Sequence, residues 1–452
     1  MFDPTRRALF SQMGLSASAA AMGAGFLQSA AFAQTPEAAT PEEARPGVLN
    51  VRDFGALGDG QHDDTEAFQK AIDAASAMGG NIVFVPRGDY HFTGNLRVKR
   101  DVVLEGVFRS PVTKATYKGS CLLPSAGKGE EEGTPFLTLE DNGTLSGLSI
   151  FYPGQEMPVP VPYPWTIMGD GDNIAVRNVQ IVNPWQALNL TKAGRHFVDG
   201  LYAHALRRGL FVDNCFDVGR IQNVHFWPFW ADDLKLHAFT TNNLEAFIIG
   251  RTDWEYMLNC FVIFAKVGFK FIKTEGGDAN AVLNTCGSDV GPLAVEVESC
   301  LVHAGVSFVN SQIMASVKIG PKNRGTVKFT ACGFWGLDRR GADRFGCQPT
   351  RSHMEIEGTG PVYVNACHFD GWNRTDDQSP CIHAHSGGLT VIGSEFSEKH
   401  PSIVLEKDVE CAIITGNRFN VESPEIVNRM KPELCQIGLN VAAIRSGKRI
   451  EA

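Results

Sequence analysis

Beyond residues 1–33 the chain has no run apolar enough to cross a bilayer, so no membrane-spanning helix is expected. It has no excess of basic residues: 41 Lys and Arg face 50 Asp and Glu, a formal charge of −9, which argues against nucleic acid as a partner. No CxxC pair occurs among the 11 cysteines, whose odd number and scatter from Cys121 to Cys435 speak against a disulfide or zinc framework. They read as small apolar side chains of the interior. No GxGxxG or P-loop pattern stands between a strand and a helix, so no nucleotide cofactor is expected.

What is abundant is glycine, 47 of 452 residues, in a chain 43% apolar and 20% charged. Such a composition describes a folded protein rich in turns. The first residues stand apart. Thr5, Arg6, Arg7, Ala8, Leu9 and Phe10 precede an Ala/Gly/Met run that ends at Ala31-Phe32-Ala33, the form of a twin-arginine export signal over residues 1–33. The Pro/Glu/Ala-rich stretch 34–47 follows as a flexible leader, and the expected location is periplasmic or secreted.

Repeats then decide the architecture. Leu145-Ser146-Gly147-Leu148-Ser149-Ile150, Val176-Arg177-Asn178-Val179-Gln180-Ile181, Val198-Asp199-Gly200-Leu201-Tyr202-Ala203 and Ile221-Gln222-Asn223-Val224-His225-Phe226 share one form: apolar, x, Gly or Asn, apolar, x, apolar. A related form recurs at Val327–Phe334, Val362–Phe369, Leu389–Phe396 and Ala412–Phe419, each an extended run that turns at Gly, Asn or Cys and ends on Phe. One such unit cannot bury its apolar faces, whereas a stack of them makes a continuous core. The repeats therefore predict an all-β solenoid of parallel strands, with coils about 4.8 Å apart, over residues 48–422. Residues 423–452 depart from the repeat and are expected to form a C-terminal cap or tail.

The stretch 53–72, DFGALGDGQHDDTEAFQKAI, is dense in acids and looks catalytic. Its spacing says otherwise. Asp63 and Glu66 have the form of a capping box, Phe68, Ala71, Ile72, Ala75 and Met78 follow at helical spacing, and Gly79-Gly80 ends the helix. A helix leading into the strand-like run Asn81–Pro86 suits the lid of a solenoid. The run Asn50–Gly60, with Asp63-Asp64-Thr65, Phe68-Gln69, Ala71-Ile72, Val83–Pro86 and Gly88-Asp89-Tyr90, resembles the N-terminal signature of the pectate-lyase-like superfamily. The resemblance implies a right-handed, single-stranded parallel β-helix with an N-terminal capping α-helix. It leaves the reaction open, because that superfamily includes hydrolases, lyases, epimerases and adhesive spikes.

Polysaccharide chemistry calls for carboxylates near exposed aromatic rings. That combination is densest at 223–239, 251–256, 273–278 and 285–291. Asp232, Asp253 and Glu275 are spaced by about one coil, and Asp253 and Glu255, at i and i+2, would share a strand face. The candidate catalytic residues are Asp253, Glu255, Asp232, Asp233, Glu275 and Asp289. Trp227, Trp230 and Trp254 are the candidate sugar-stacking rings, with Lys235, His237 and Arg251 as further substrate contacts. A polygalacturonase would offer a counterpart to Asp232-Asp233, but its Asn-Thr-Asp, Gly-His-Gly and Arg-Ile-Lys motifs have no match here.

The expectation is an exported enzyme acting on a polysaccharide or oligosaccharide, foremost a glycoside hydrolase with paired carboxylates. The alternatives are a lyase on a uronic-acid polymer, drawing a base from Arg207, Arg208, Lys235, His237 or Arg251, or a non-catalytic carbohydrate-binding surface protein. No metal site is expected, with Ca²⁺ admitted only for a lyase. His383 and His385 could share a strand face, yet the sequence shows no third ligand near them. Homo-oligomerisation stays open.

Overall fold

The computed structural model describes residues 47–107, 111, 119–422 and 424–442. The expected export signal, and all of the leader but Gly47, lie outside the described residues. The strands pair in parallel, each with its counterpart in the coils before and after, in three ladders that run along one axis. The first ladder passes through Trp165–Asp170, Arg208–Asp213, Val267–Phe271 and Met354–Ile356. The second passes through Ala175–Ile181, Thr252–Leu258, Val306–Val309 and Val362–Asn365, and the third through His225–Phe226, Phe261–Ile263, Gly287–Asp289 and Gly333–Trp335. This is the parallel β-helix that the repeats predict. Strands Ile426–Asn428, Cys435–Gly438 and Val441–Ala442 extend the ladders into the segment expected to be a cap or tail.

The conserved form of the repeats is a corner. Gly147, Asn178, Gly200 and Asn223 have φ of 65°, 50°, 75° and 55°, and Asn259, Thr285, Asn310, Ala331, Ala366, Gly393 and Gly416 continue the series in later coils. One left-handed residue per coil turns the chain from the second ladder into the third, which is why Gly and Asn, the residues that tolerate this region best, dominate the position. The residue after the corner points inward. Cys260, Cys286, Ser311, Cys332, Cys367, Ser394 and Asn417 occupy it, all buried. All 11 cysteines are free thiols and 8 of them are buried, so they serve as interior side chains. The Phe that closes each later repeat stacks on its counterpart: Phe334, Phe369, Phe396 and Phe419 have centroids 4.6, 4.9 and 5.0 Å apart.

Helix α1 (Thr65–Ala77) buries Phe68, Ala71, Ile72 and Ala75 against this core. Phe68 meets Tyr90 and Phe92 edge-on, at 5.0 and 4.9 Å. Met78, expected on the same face, is exposed. The capping box does not form: Asp64 precedes the helix, and its carboxylate accepts from the Leu57 and Gly58 amides at 2.6 and 3.2 Å. Asp63 binds Thr65 and Thr93, tying the helix start to the next coil, and Glu66 pairs with Lys70. The acids of the first stretch are therefore occupied in holding loops.

Two long loops after the third ladder carry helices α2 (Leu234–Asn243) and α3 (Arg339–Phe345). The helices join through Thr241 Oγ1 donating to the Phe345 carbonyl at 3.0 Å. Beneath them Ile263, Phe264, Val290, Leu337, Ala342 and Phe345 form a small second core.

Candidate functional site

The outer face of the third ladder forms the floor of a groove of about 750 Å³. Register sets Tyr202, His225, Phe261, Gly287 and Gln312 side by side on successive coils. Corner residues Asn178, Gly200, Asn223, Asn259 and Thr285 edge the groove on one side, and Trp227, Asp289 and Trp335 on the other. Gly287 leaves a notch in the floor: a Cβ there would lie 3.0 Å from the Phe261 ring. The corner edge is held by a chain of amides, with Asn259 donating to Asn223 Oδ1 at 2.9 Å and Asn223 donating to Asp199 Oδ1 at 2.8 Å.

Two titratable groups in the groove are shifted by burial. Burial pushes the Asp289 carboxyl above the usual carboxylate range, against the Val290 amide, which works the other way. Its buried Oδ1 has no hydrogen-bond partner among the described residues. His225 is ringed by Trp227, Phe229 and Phe261 at centroid distances of 5.7, 5.8 and 5.3 Å. That burial lowers its pKa and keeps the imidazole neutral near pH 7. A carboxyl raised by burial and an imidazole lowered by it thus share one solvent-open cleft, two coils or roughly 10 Å apart along the axis, with Tyr202 one coil beyond His225.

Of the candidates from the sequence, Asp289 and Trp227 line this groove. The others are dispersed. Glu255 points into the solenoid, where its Oε1 lies 3.0 Å from His196 Nε2 and both side chains are fully buried. Burial alone would lower the His196 pKa, but the Glu255 carboxylate and the Cys215 thiol beside it push it up to about 10. Gly219 makes room for the pair: a Cβ there would lie 2.3 Å from Glu255 Oε2. Asp253 faces outward and pairs with Arg251 at 2.6 Å. The shared face expected for Asp253 and Glu255 fails because alternation breaks within the strand: Asp253 and Trp254 both face out between buried Thr252 and Glu255, beside the register irregularity against Cys215–Val218.

Asp232, Asp253 and Glu275 are not on one face either. Register puts Thr252 beside Cys215 and Glu255 beside Ala281, so the inserted α2 makes the coil longer than the intervals suggest. Asp233 caps α2, accepting from the Lys235 and Leu236 amides at 2.9 and 3.0 Å, and Asp232 lies 2.9 Å from His237 Nε2. His237 itself is buried and stacked on Phe264 at 4.1 Å, and Lys235 is exposed on α2. Glu275 sits at the tip of a tight turn closed by Thr274 and Gly277. Trp230 is buried against His204, and Trp254 stacks on Tyr256 outside the groove. Arg251 lies over the Phe216 ring at 5.3 Å.

The groove residues missed from the sequence had a signal. Tyr202 and His225 are the second x of two repeats, two positions past the corner, where the side chain must face out.

A family model described as rhamnogalacturonase A/epimerase, pectate lyase-like, matches residues 48–135. Mannuronan C5-epimerase AlgE3 of Azotobacter vinelandii is 50% identical over 65 residues, 13% of this chain and 4% of that protein. Alginate lyase 7 of the same organism is 58% identical over 45 residues, 10% of this chain and 5% of that protein. The chain thus spans a small fraction of these curated relatives. Among solved structures, PfbA, a surface adhesin of Streptococcus pneumoniae, is 13% identical, with 84% of this chain and 91% of that chain covered and a TM-score of 0.44. The family-model match bears out the resemblance to the pectate-lyase-like superfamily. The family match ends well before Asn178, the first residue of the groove, and so concerns the scaffold more than the site.

Proposed function

We propose that the protein is an exported polysaccharide-active enzyme and that the groove along the third ladder is its active site. The chemistry that fits the groove best is proton abstraction at a uronate sugar, the lyase alternative raised by the sequence. The observation that carries this reading is Asp289, a desolvated carboxyl inclined to keep its proton, in one cleft with a neutral His225 and Tyr202. No Lys or Arg stands among the described lining residues, so neutralising a sugar carboxylate falls to hydrogen bonds from Asp289 and Gln312.

In the elimination, the neutral imidazole of His225 takes the proton from the carbon next to the sugar carboxylate. The electron pair of that C–H bond forms a C=C bond, the bond to the glycosidic oxygen breaks, and that oxygen takes a proton from the Tyr202 hydroxyl as it leaves. Returning the proton to the other face of the same carbon would instead invert it, without cleavage. Trp227 and Trp335 offer faces for sugar stacking. The partial relatives, by name epimerases and a lyase, support this class of chemistry.

The hydrolase expectation keeps one supporting observation: Asp289 also suits a general acid. Its partner is the difficulty. Asp199, the other carboxylate of the groove, stands three coils away, roughly 14 Å along the axis, beyond the separations that either hydrolytic mechanism uses.

The test is to incubate the protein with a panel of uronate and neutral glycans in D₂O and analyse products by mass and ultraviolet absorbance. Unsaturated ends without gain of water support elimination, and deuterium at the carbon without cleavage supports inversion. A gain of water at each cut would overturn the reading in favour of hydrolysis. Binding with neither cleavage nor exchange would make the protein a carbohydrate-binding one.

A further inference from the structure

On the outer face of the first ladder, well past the groove, three side chains converge that no part of the proposed chemistry uses. Glu355 and His383 are register partners on adjacent coils, and His385 stands two residues along the same strand. The Glu355 Oε2 atom lies 3.4 Å from His383 Nδ1 and 3.1 Å from His385 Nε2. The donor atoms of the three residues lie within 4.8 Å of one another. All three side chains are half-buried, between 23% and 39% exposed, so the cluster is fixed in place yet open to solvent.

We propose that Glu355, His383 and His385 bind a divalent transition-metal ion. Four ligands at 2.0–2.1 Å in a tetrahedron stand roughly 3.3 Å from one another, and the two measured separations bracket that edge. Two imidazoles and one carboxylate suit zinc and its neighbours better than calcium or magnesium, which take oxygen ligands. The third ligand that the sequence did not reveal comes from the preceding coil, brought in by the parallel register.

The surroundings prepare the set. Glu406, on the coil that follows, lies 3.0 Å from His383 Nε2, so that nitrogen can carry the proton and leave the Nδ1 lone pair facing Glu355. Arg429 holds Glu406 in turn, at 2.6 Å. An imidazole oriented through its far nitrogen by a carboxylate is the arrangement that sharpens metal sites. A bound ion would join two coils of the solenoid, with the outer ligand position left to water.

The experiment uses the full chain freed of metal with chelator, titrated with Zn²⁺ by calorimetry and, separately, with Co²⁺ by visible absorption. The expected result is one equivalent bound, a Co²⁺ spectrum of the tetrahedral type, and a melting temperature raised by Zn²⁺. His385→Ala should abolish the stoichiometric binding, and Glu406→Gln should weaken it about 10–100-fold while the ligands remain. Absence of Zn²⁺ binding by the unaltered protein, or binding that both variants keep at full strength, would overturn the proposal. Circular dichroism of each variant separates loss of fold from loss of the site, and Glu406→Gln serves as the milder change if His385→Ala does not fold.

Discussion

Two pairings of histidine with a carboxyl residue lie within a few coils of each other and are put to opposite uses. His196 and Glu255 sit inside the solenoid, 3.0 Å apart and sealed from water, where each supplies the other's counter-charge. His225 and Asp289 sit on the floor and rim of the groove, two coils apart, and among the described residues neither is in an ion pair. The buried pair is sealed and fixed, whereas the groove pair opens on the cleft, with the carboxyl shifted up and the imidazole shifted down by burial. Residue type alone does not distinguish them. The direction of the side chain on its strand does, and with it the supply of water and partners.

The difference can be broken from the groove side first. His225→Gln should lower turnover on the responsive glycan by about 10²–10⁴-fold, the usual share of a general base, while the urea midpoint stays put. Undiminished turnover would remove His225 from the chemistry. The sealed pair should answer in reverse. Glu255→Ala leaves a buried imidazole without its counter-charge and should cost about 3–5 kcal/mol of stability, read by denaturant unfolding, with activity per folded molecule preserved.

Smaller effects sharpen the contrast through pH. Asp289 must keep its proton to donate, so activity should fall as pH rises through its elevated pKa, and Asp289→Asn should erase that alkaline limb in a pH–rate profile. The sealed His196, raised from 6.5 to about 10, contributes stability that is full below about pH 6.5, declines as pH rises from there, and is gone above about pH 10. Unfolding midpoints measured across that window, for the parent and for His196→Gln, check it. The least effect belongs to Asp232, which is exposed on the α2 loop: Asp232→Asn should change stability by less than about 0.5 kcal/mol and leave turnover unaltered.

The scaffold was legible because its constraints are local. A Gly or Asn at most corners and a Phe at the end of each later repeat announce a turn and a stack, although in two of those repeats Ala331 and Ala366, one residue before the Cys, take the left-handed turn. The helix over Phe68, Ala71 and Ile72 was equally plain, although its first turn is held by Asp64 and the loop before it in place of a capping box. The site was only partly legible, because coil length was taken as uniform. The α2 loop lengthens one coil and alternation breaks at Asp253-Trp254, so acids evenly spaced along the chain land on different faces. The durable signal was position relative to the corner. Two residues past it, Tyr202 and His225 face outward whatever the loop lengths, and reading those positions in successive repeats would have found the floor of the groove. Glu355 beside His383 shows the same limit, since their adjacency depends on a loop of unrepeated length.

The corner also explains where this architecture can vary. A single left-handed residue ends the second strand of each coil and fixes the direction of the third, before any of the loop that follows is made. Segments inserted after Trp227 and Trp335 therefore leave the floor unshifted, as α2 and α3 demonstrate. A library of replacement loops at those two points would change the walls of the cleft while its base stayed in register, and the protein could take on a new specificity without first having to relearn how to fold.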